Sequence, residues 1–318
     1  MKALILDCDG TLVRINRSYN ACIIETTRRM LRSITGEEWS NYADEDMILA
    51  FRMSGGFNND VDTCYALILA GVAAHTRGLD PRNLVYDLAA NADSRGIVSV
   101  EDYLVSNGMY DVVGKVREYT GYPGLVGSST LATLFDELFY GRGLFVKMHG
   151  IEPRFIDASR GFIEYDEVII NKSTLERLKS RFYDRITIVS GRSRISAEYT
   201  LKELLGYFNL NASVFIEDED KYVKRNGLDI IVTKPNPYAL LKSLDILGAR
   251  EAIVVGDSME DLIMARSVGD RYKTVFVGVY GTSIDAERQR EAFIKHNSDF
   301  VIENVNMLPG ILECISNP

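Results

Sequence analysis

The sequence predicts an α/β protein with a doubly wound parallel-sheet core, interrupted by an inserted and mainly α-helical domain. Short apolar runs recur at Ile186–Val189, Ile230–Val232, Ala252–Val255, Thr274–Val279 and Phe300–Ile302, each followed by a polar turn and alternating with helically spaced stretches. Between about Ile15 and Tyr165 the texture changes to long helical patterns with few strand-like runs. One further strand-like run, Ala3–Leu6, precedes this stretch. The core is therefore expected to be discontinuous, residues 1–14 with 166–318, and residues 15–165 to form the insert.

Runs this short and this continuously apolar suit strands buried on both faces, as a parallel sheet requires. Ser193–Leu205, Asn236–Leu247, Ser258–Ser267 and Ile284–Lys295 carry apolar residues at the spacing of crossover helices. Within the insert, Tyr19–Ile34, Glu45–Phe51, Val61–Arg77 and Leu131–Leu138 read as helices. Glycine-containing breaks at Ser54–Asp60 and Tyr140–Gly143 read as loops, with Asn59 or Asp60 capping the helix that follows.

Bulk properties narrow the function classes. The chain has 318 residues, 46% hydrophobic and 25% charged, which is ordinary for a globular protein able to bury a sizeable core. A formal charge of -9 argues against a nucleic-acid partner held by phosphate neutralisation. It does not argue against a small anionic substrate, because a local lysine and a bound metal can reverse the field inside one cleft. The four cysteines show no metal-ligand spacing, the three histidines lie far apart, and the first residues read as a strand and not as an export signal. Apolar stretches all fall short of the roughly 18 residues a membrane span needs. A reduced, cytoplasmic protein with neither zinc nor a membrane partner is expected.

The chemistry-bearing residues follow strand-like runs. After Ala3–Leu6 comes Asp7-Cys8-Asp9-Gly10-Thr11, and strand alternation puts the two aspartates on one side with Cys8 on the other. Converging carboxylates at the carboxyl end of a strand stand where open α/β sheets bind ligands. After Ile186–Val189 comes Ser190-Gly191-Arg192, where a hydroxyl and backbone amides at a strand-to-helix turn can meet phosphate oxygens, or simply cap the helix. Lys234 follows Ile230–Val232, with prolines marking the entrance to a helix. Ala252–Val255 leads into Gly256-Asp257-Ser258-Met259-Glu260-Asp261, where Asp257 or Ser258 could equally be a cap.

In this order the four segments resemble the signature set of the haloacid dehalogenase superfamily, and the insert resembles the cap of its phosphoglycolate-phosphatase-like branch in enlarged form. The resemblance implies a Rossmann-like core and a phosphatase acting on a small phosphorylated metabolite. Asp7 would be the nucleophile that becomes an aspartyl phosphate, and Asp9 the acid that protonates the leaving alkoxide and then deprotonates water. Mg²⁺ would be held by Asp7, the Asp9 carbonyl and Asp257, with Asp261 binding a metal water or orienting Lys234. Gly10, Thr11, Ser190, Gly191 and Lys234 would bind the phosphoryl oxygens. Asp9 sets the pattern apart from carbon-halogen cleavage. A phosphomutase and a catalytically idle binding protein are the competing readings. Arg52, Asn58, Asn59, Arg142 and Arg160 are the cap candidates for substrate choice.

Overall fold

The computed structural model describes residues 2–57 and 59–316. They form eight strands: β1 Lys2–Leu6, β2 Val13–Arg14, β3 Glu167–Val168, β4 Ile186–Ser190, β5 Val214–Phe215, β6 Glu251–Gly256, β7 Lys273–Val279 and β8 Phe300–Ile302. Six make one sheet in the order β5-β4-β1-β6-β7-β8, with every neighbouring pair parallel. Parallel neighbours need crossover connections, and the helices that supply them cover both faces. Leu4 and Leu6 enter one apolar cluster with Leu175, Phe182, Leu201 and Leu308, whereas Ala3 and Ile5 enter the other with Leu240, Leu244, Leu262 and Phe293. Alternation along β1 thus feeds two cores, and each fully buried leucine contributes about 1.5–3 kcal/mol.

From β1 the chain order runs outward through β4 and β5 on one side and through β6, β7 and β8 on the other. The strand order therefore reverses between β1 and β6, and a crevice beyond the carboxyl ends of these two strands is where such sheets hold ligands. β2 and β3 form a separate antiparallel pair that brings together the chain leaving the core and the chain returning to it, with Arg14 and Glu167 ion-paired at 2.8 Å.

The chain divides into two compact units, residues 1–16 with 166–318, and residues 17–165. The second unit is helical and is organised on helix Asp60–Arg77, whose residues from Thr63 to Ala74 are all buried. A helix apolar all round belongs at the centre of a bundle. At Gly71 a Cβ would lie 2.7 Å from Leu31, so the glycine lets helix Asn16–Thr35 approach closely. Among the described residues no helix is long and apolar enough to cross a membrane.

Two expectations are corrected. Ile230–Val232 is not a strand; Ile230 and Ile231 are 44% and 68% exposed, and the third core strand is the two-residue β5. Tyr140–Gly143 is not a loop. Helix Thr130–His149 passes through it with one break at Gly141, where φ is 68°. A side chain at Gly141 would collide with the Gly161 amide at 2.7 Å, so the break lets the segment around Gly161 pack against the kink.

Candidate active site

The turn after β1 is built by Cys8 and Gly10. Cys8 continues the alternation of Leu4 and Leu6 into the apolar cluster, where burial pushes its thiol well up, and Asp7 is left on the opposite side. The Cys8 carbonyl accepts from the amides of Leu12 and Val13 at 2.8 and 3.0 Å, and the Gly10 amide donates to Val13 O at 2.8 Å. Gly10 has φ 72°, and a Cβ there would sit 1.8 Å from Asp257 Oδ2. Only glycine fits both the backbone conformation and the carboxylate laid against it. Thr282, beyond β7, fastens the turn by donating its hydroxyl to Gly10 O at 2.5 Å.

Lys234 joins two of the signature segments. Its Nζ lies 2.6 Å from Asp7 Oδ1 and 2.6 Å from Asp261 Oδ1, with its side chain 10% exposed. Burial alone would lower the ammonium's pKa, but Asp261 and Asp7 outweigh it and hold Lys234 charged. The other oxygen of Asp261 accepts from the Ser258 hydroxyl at 2.6 Å, within a capping box at the start of helix Met259–Arg266. Lys234 thus faces one Asp261 oxygen and Ser258 the other. Gly256 makes this possible, since a Cβ there would meet the Asp261 side chain at 2.5 Å.

Asp9 faces a different cation. Arg192 Nε stands 2.7 Å from Asp9 Oδ1, while its Nη1 is 2.8 Å from Asp166 Oδ2 and donates to Thr200 Oγ1 at 2.9 Å. The side chains of Arg192 and Asp166 are each 1% exposed, that of Asp9 23%. The two aspartates of the turn therefore have separate environments, Asp7 on a lysine and Asp9 on an arginine. Burial raises both carboxyls: Asp7 is pushed up to about 7 despite Lys234, and Asp9 is raised by burial opposed by Arg192.

The phosphate-binding residues expected from the sequence divide. Lys234 is in place beside Asp7. The Gly10 amide donates to Val13 O, and the Thr11 amide to Cys8 O at 3.3 Å. The Thr11 hydroxyl is buried without a partner. Ser190, the last residue of β4, is fully buried and its hydroxyl accepts from the Arg192 amide at 3.3 Å, while Gly191 is exposed with open space around its Cα. Sequence reasoning missed the part played by Arg192, Asp166 and Thr200. The only local signal was the arginine of Ser190-Gly191-Arg192.

Of the cap candidates, Asn59 caps helix Asp60–Arg77 by accepting from Val61 N at 2.8 Å. Arg52 bridges Asp60 at 2.9 Å and Asn20 at 3.0 Å, and Arg142 pairs with Asp157 and Glu152 at 2.7 and 3.1 Å. Arg160 is exposed, and Asn58 lies outside the described residues.

Carboxylate oxygens of Asp7, Asp257 and Asp261 all lie within 4.8 Å of one another. Three carboxylates face one ammonium there, and burial followed by the Asp7 charge raises Asp257 far above its usual range. A hard divalent cation fits the Asp7 and Asp257 carboxylates and would offset the cluster's excess negative charge.

A six-stranded parallel sheet with helices on both faces, a helical insert after the first strand and an Asp/Lys cluster at the strand-order reversal define a Rossmann-like hydrolase core with a cap. The chain belongs to the haloacid dehalogenase-like hydrolases: residues 1–269 match that family, and residues 231–308 also match the HAD-hydrolase-like family. The fold is similar to an X-ray structure of a Northeast Structural Genomics Consortium target, with TM-score 0.70 and 18% identity over 99% of each chain. It is also similar to phosphatase Tt82 from Thermococcus thioreducens, with TM-score 0.55 and 20% identity over 92% of this chain and 98% of that one. A curated relative, imidazoleglycerol-phosphate dehydratase from Phytophthora nicotianae, is 22% identical over 99% of this chain. The chain spans about half the length of that relative, 52%.

Proposed function

We propose that the chain is a Mg²⁺-dependent phosphatase that hydrolyses a small phosphomonoester metabolite through an aspartyl phosphate on Asp7. The observation that carries this reading is the division of labour between the two aspartates of one turn, Asp7 held by Lys234 at 2.6 Å and Asp9 by Arg192 at 2.7 Å. Two carboxyls in separate settings can act as nucleophile and as acid/base.

Asp7 attacks phosphorus in its ionised form while the Lys234 ammonium offsets charge on the phosphoryl oxygens. Asp9 gives its proton to the leaving alkoxide and then takes one from the water that attacks the aspartyl phosphate. Asp7, Asp257 and the Asp9 carbonyl would hold Mg²⁺, whose chemistry is to draw nucleophile and phosphate together and to neutralise charge. Free, buried thiols at Cys8, Cys22 and Cys64 suit a reducing cytoplasm. The deciding experiment is inorganic phosphate release from sugar, nucleotide and carboxylic-acid phosphates with and without Mg²⁺. Release that requires Mg²⁺ supports the phosphatase; transfer back to substrate without release would replace it with a mutase.

Mg²⁺ should stabilise the fold more at pH 8 than at pH 5.5. The folded-state pKa values of Asp7 and Asp257 are raised, Asp7 from 3.8 to about 7. In the metal-free protein their contribution to stability is fully present below about pH 4, where both states are protonated, and is lost as pH rises through the folded values. A cation displaces those protons, so its binding strengthens over the same range. At pH 8, Mg²⁺ at a hundred times its Kd would add about 2.7 kcal/mol. A melting-temperature shift independent of pH would count against a cation on Asp7 and Asp257.

A further inference from the structure

The chemistry above uses Arg192 only as the ion-pair partner of Asp9, yet its guanidinium is among the most deeply buried charges of the core, with a side chain 1% exposed. Burying an arginine is costly unless fixed partners compensate it. Here they come from three separate segments. Asp9 follows β1, Asp166 stands where the chain re-enters the core just before β3, and Thr200 lies on helix Arg194–Leu201. Thr200 receives the Arg192 Nη1 donor and passes its own hydroxyl proton to Asp166 Oδ2 at 3.1 Å, so two groups on the far side fix the plane of the guanidinium. A guanidinium fixed on that side restricts where the carboxylate ion-paired with its Nε, 2.7 Å from Asp9 Oδ1, can lie.

We propose that Arg192, held by Asp166 and Thr200, is the positioning residue for the acid/base carboxyl of Asp9. Arg192 Nε is ion-paired with Oδ1 at 2.7 Å, which leaves Oδ2 as the oxygen to hand the proton to the leaving alkoxide. The inference rests on the phosphatase reading and adds to it the group that aims its acid. Exposure grades along the network, from 1% at Asp166 and Arg192 to 23% at Asp9, as expected of a rigid support that ends at a reacting group. Without it the carboxyl could rotate, and a misplacement of about 1 Å costs on the order of 10²-fold in rate.

The test exploits the leaving group. An alkyl phosphate must have its alkoxide protonated, whereas p-nitrophenyl phosphate releases a stable phenolate that needs no proton. Steady-state kcat/KM covers the steps through formation of the aspartyl phosphate and is compared for both substrates in the native chain and Arg192→Lys, which keeps the charge but loses the fork. The expected result is a loss of about 10²-fold on the alkyl phosphate, with p-nitrophenyl phosphate little changed. Equal losses on both substrates would overturn the role of Arg192 alone. Should Arg192→Lys not fold, Asp166→Asn loosens the guanidinium while leaving Arg192 and Asp9 in place, and it should give the same split in smaller measure. A native chain that hydrolyses neither substrate would sink the phosphatase reading itself.

Discussion

Asp7→Asn is expected to abolish phosphate release, a loss of at least about 10⁴-fold in kcat, while the chain stays folded. An amide offers no anionic oxygen to attack phosphorus, so the covalent route closes. Stability should move differently. Burial pushes the Asp7 carboxyl up to about 7, so above neutral pH its charge works against the metal-free fold. Asparagine has nearly the same volume and no charge, and Lys234 keeps Asp261 at 2.6 Å. At pH 8 without Mg²⁺ the variant should therefore melt no lower than the native chain. Phosphate release and thermal melting, measured on the same preparation, separate the two effects. Turnover surviving the substitution would remove Asp7 as nucleophile, and a large drop in melting temperature would make it a structural residue.

The separation of activity from stability follows from how the core is built, and much of that core is legible from β-branched runs. β1, β4 and β6 are buried along nearly their whole length and β7 over its last four residues, so their sequences are largely apolar and stand out. The third strand is different. With Val214 and Phe215 alone, β5 is too short to carry a pattern, while Ile230-Ile231-Val232 has strand composition in an irregular segment. Tertiary context overrides propensity there. Helix Ile216–Arg225 was missed because it buries only Ile216 and Val223 and has little apolar stripe to read.

The site shows the same division. Asp7, Asp257 and Asp261 were legible because they follow strand-like runs that became β1 and β6, whereas the run before Lys234 is an irregular segment that still brings the lysine to Asp7 and Asp261. Alternation along β1 foretold that Cys8 would turn away from Asp7. Arg192 was not legible as a partner of Asp9, because an arginine in a polar turn usually belongs to the surface. Its partners lie 26 residues upstream at Asp166 and 8 downstream at Thr200. The bonding of the Gly10 amide was not legible for a related reason. Whether a turn's N–H faces a ligand or closes the turn depends on where the chain goes next, and here it returns to Val13 O at 2.8 Å.

Lys234→Met should be the most destabilising substitution in this cluster. Methionine replaces much of the stem's volume, so the change isolates the charge. Asp7 and Asp261, each 2.6 Å from the ammonium, would then face Asp257 with no lysine between them. Leaving buried charges uncompensated costs about 3–5 kcal/mol, which for a unit of this size corresponds to a fall of roughly 10 °C in melting temperature. The loss should be largest at pH 8 and shrink toward pH 5, because Asp7 and Asp257 accept protons over that interval and relieve the repulsion. Mg²⁺ should restore part of the stability at pH 8, since a divalent cation offsets the same carboxylates. It should restore little activity, because the metal does not supply the ammonium's contact with the phosphoryl group. A melting temperature that drops equally at both pH values and ignores Mg²⁺ would mean that packing of the stem, and not the charge between Asp7 and Asp261, is what Lys234 contributes.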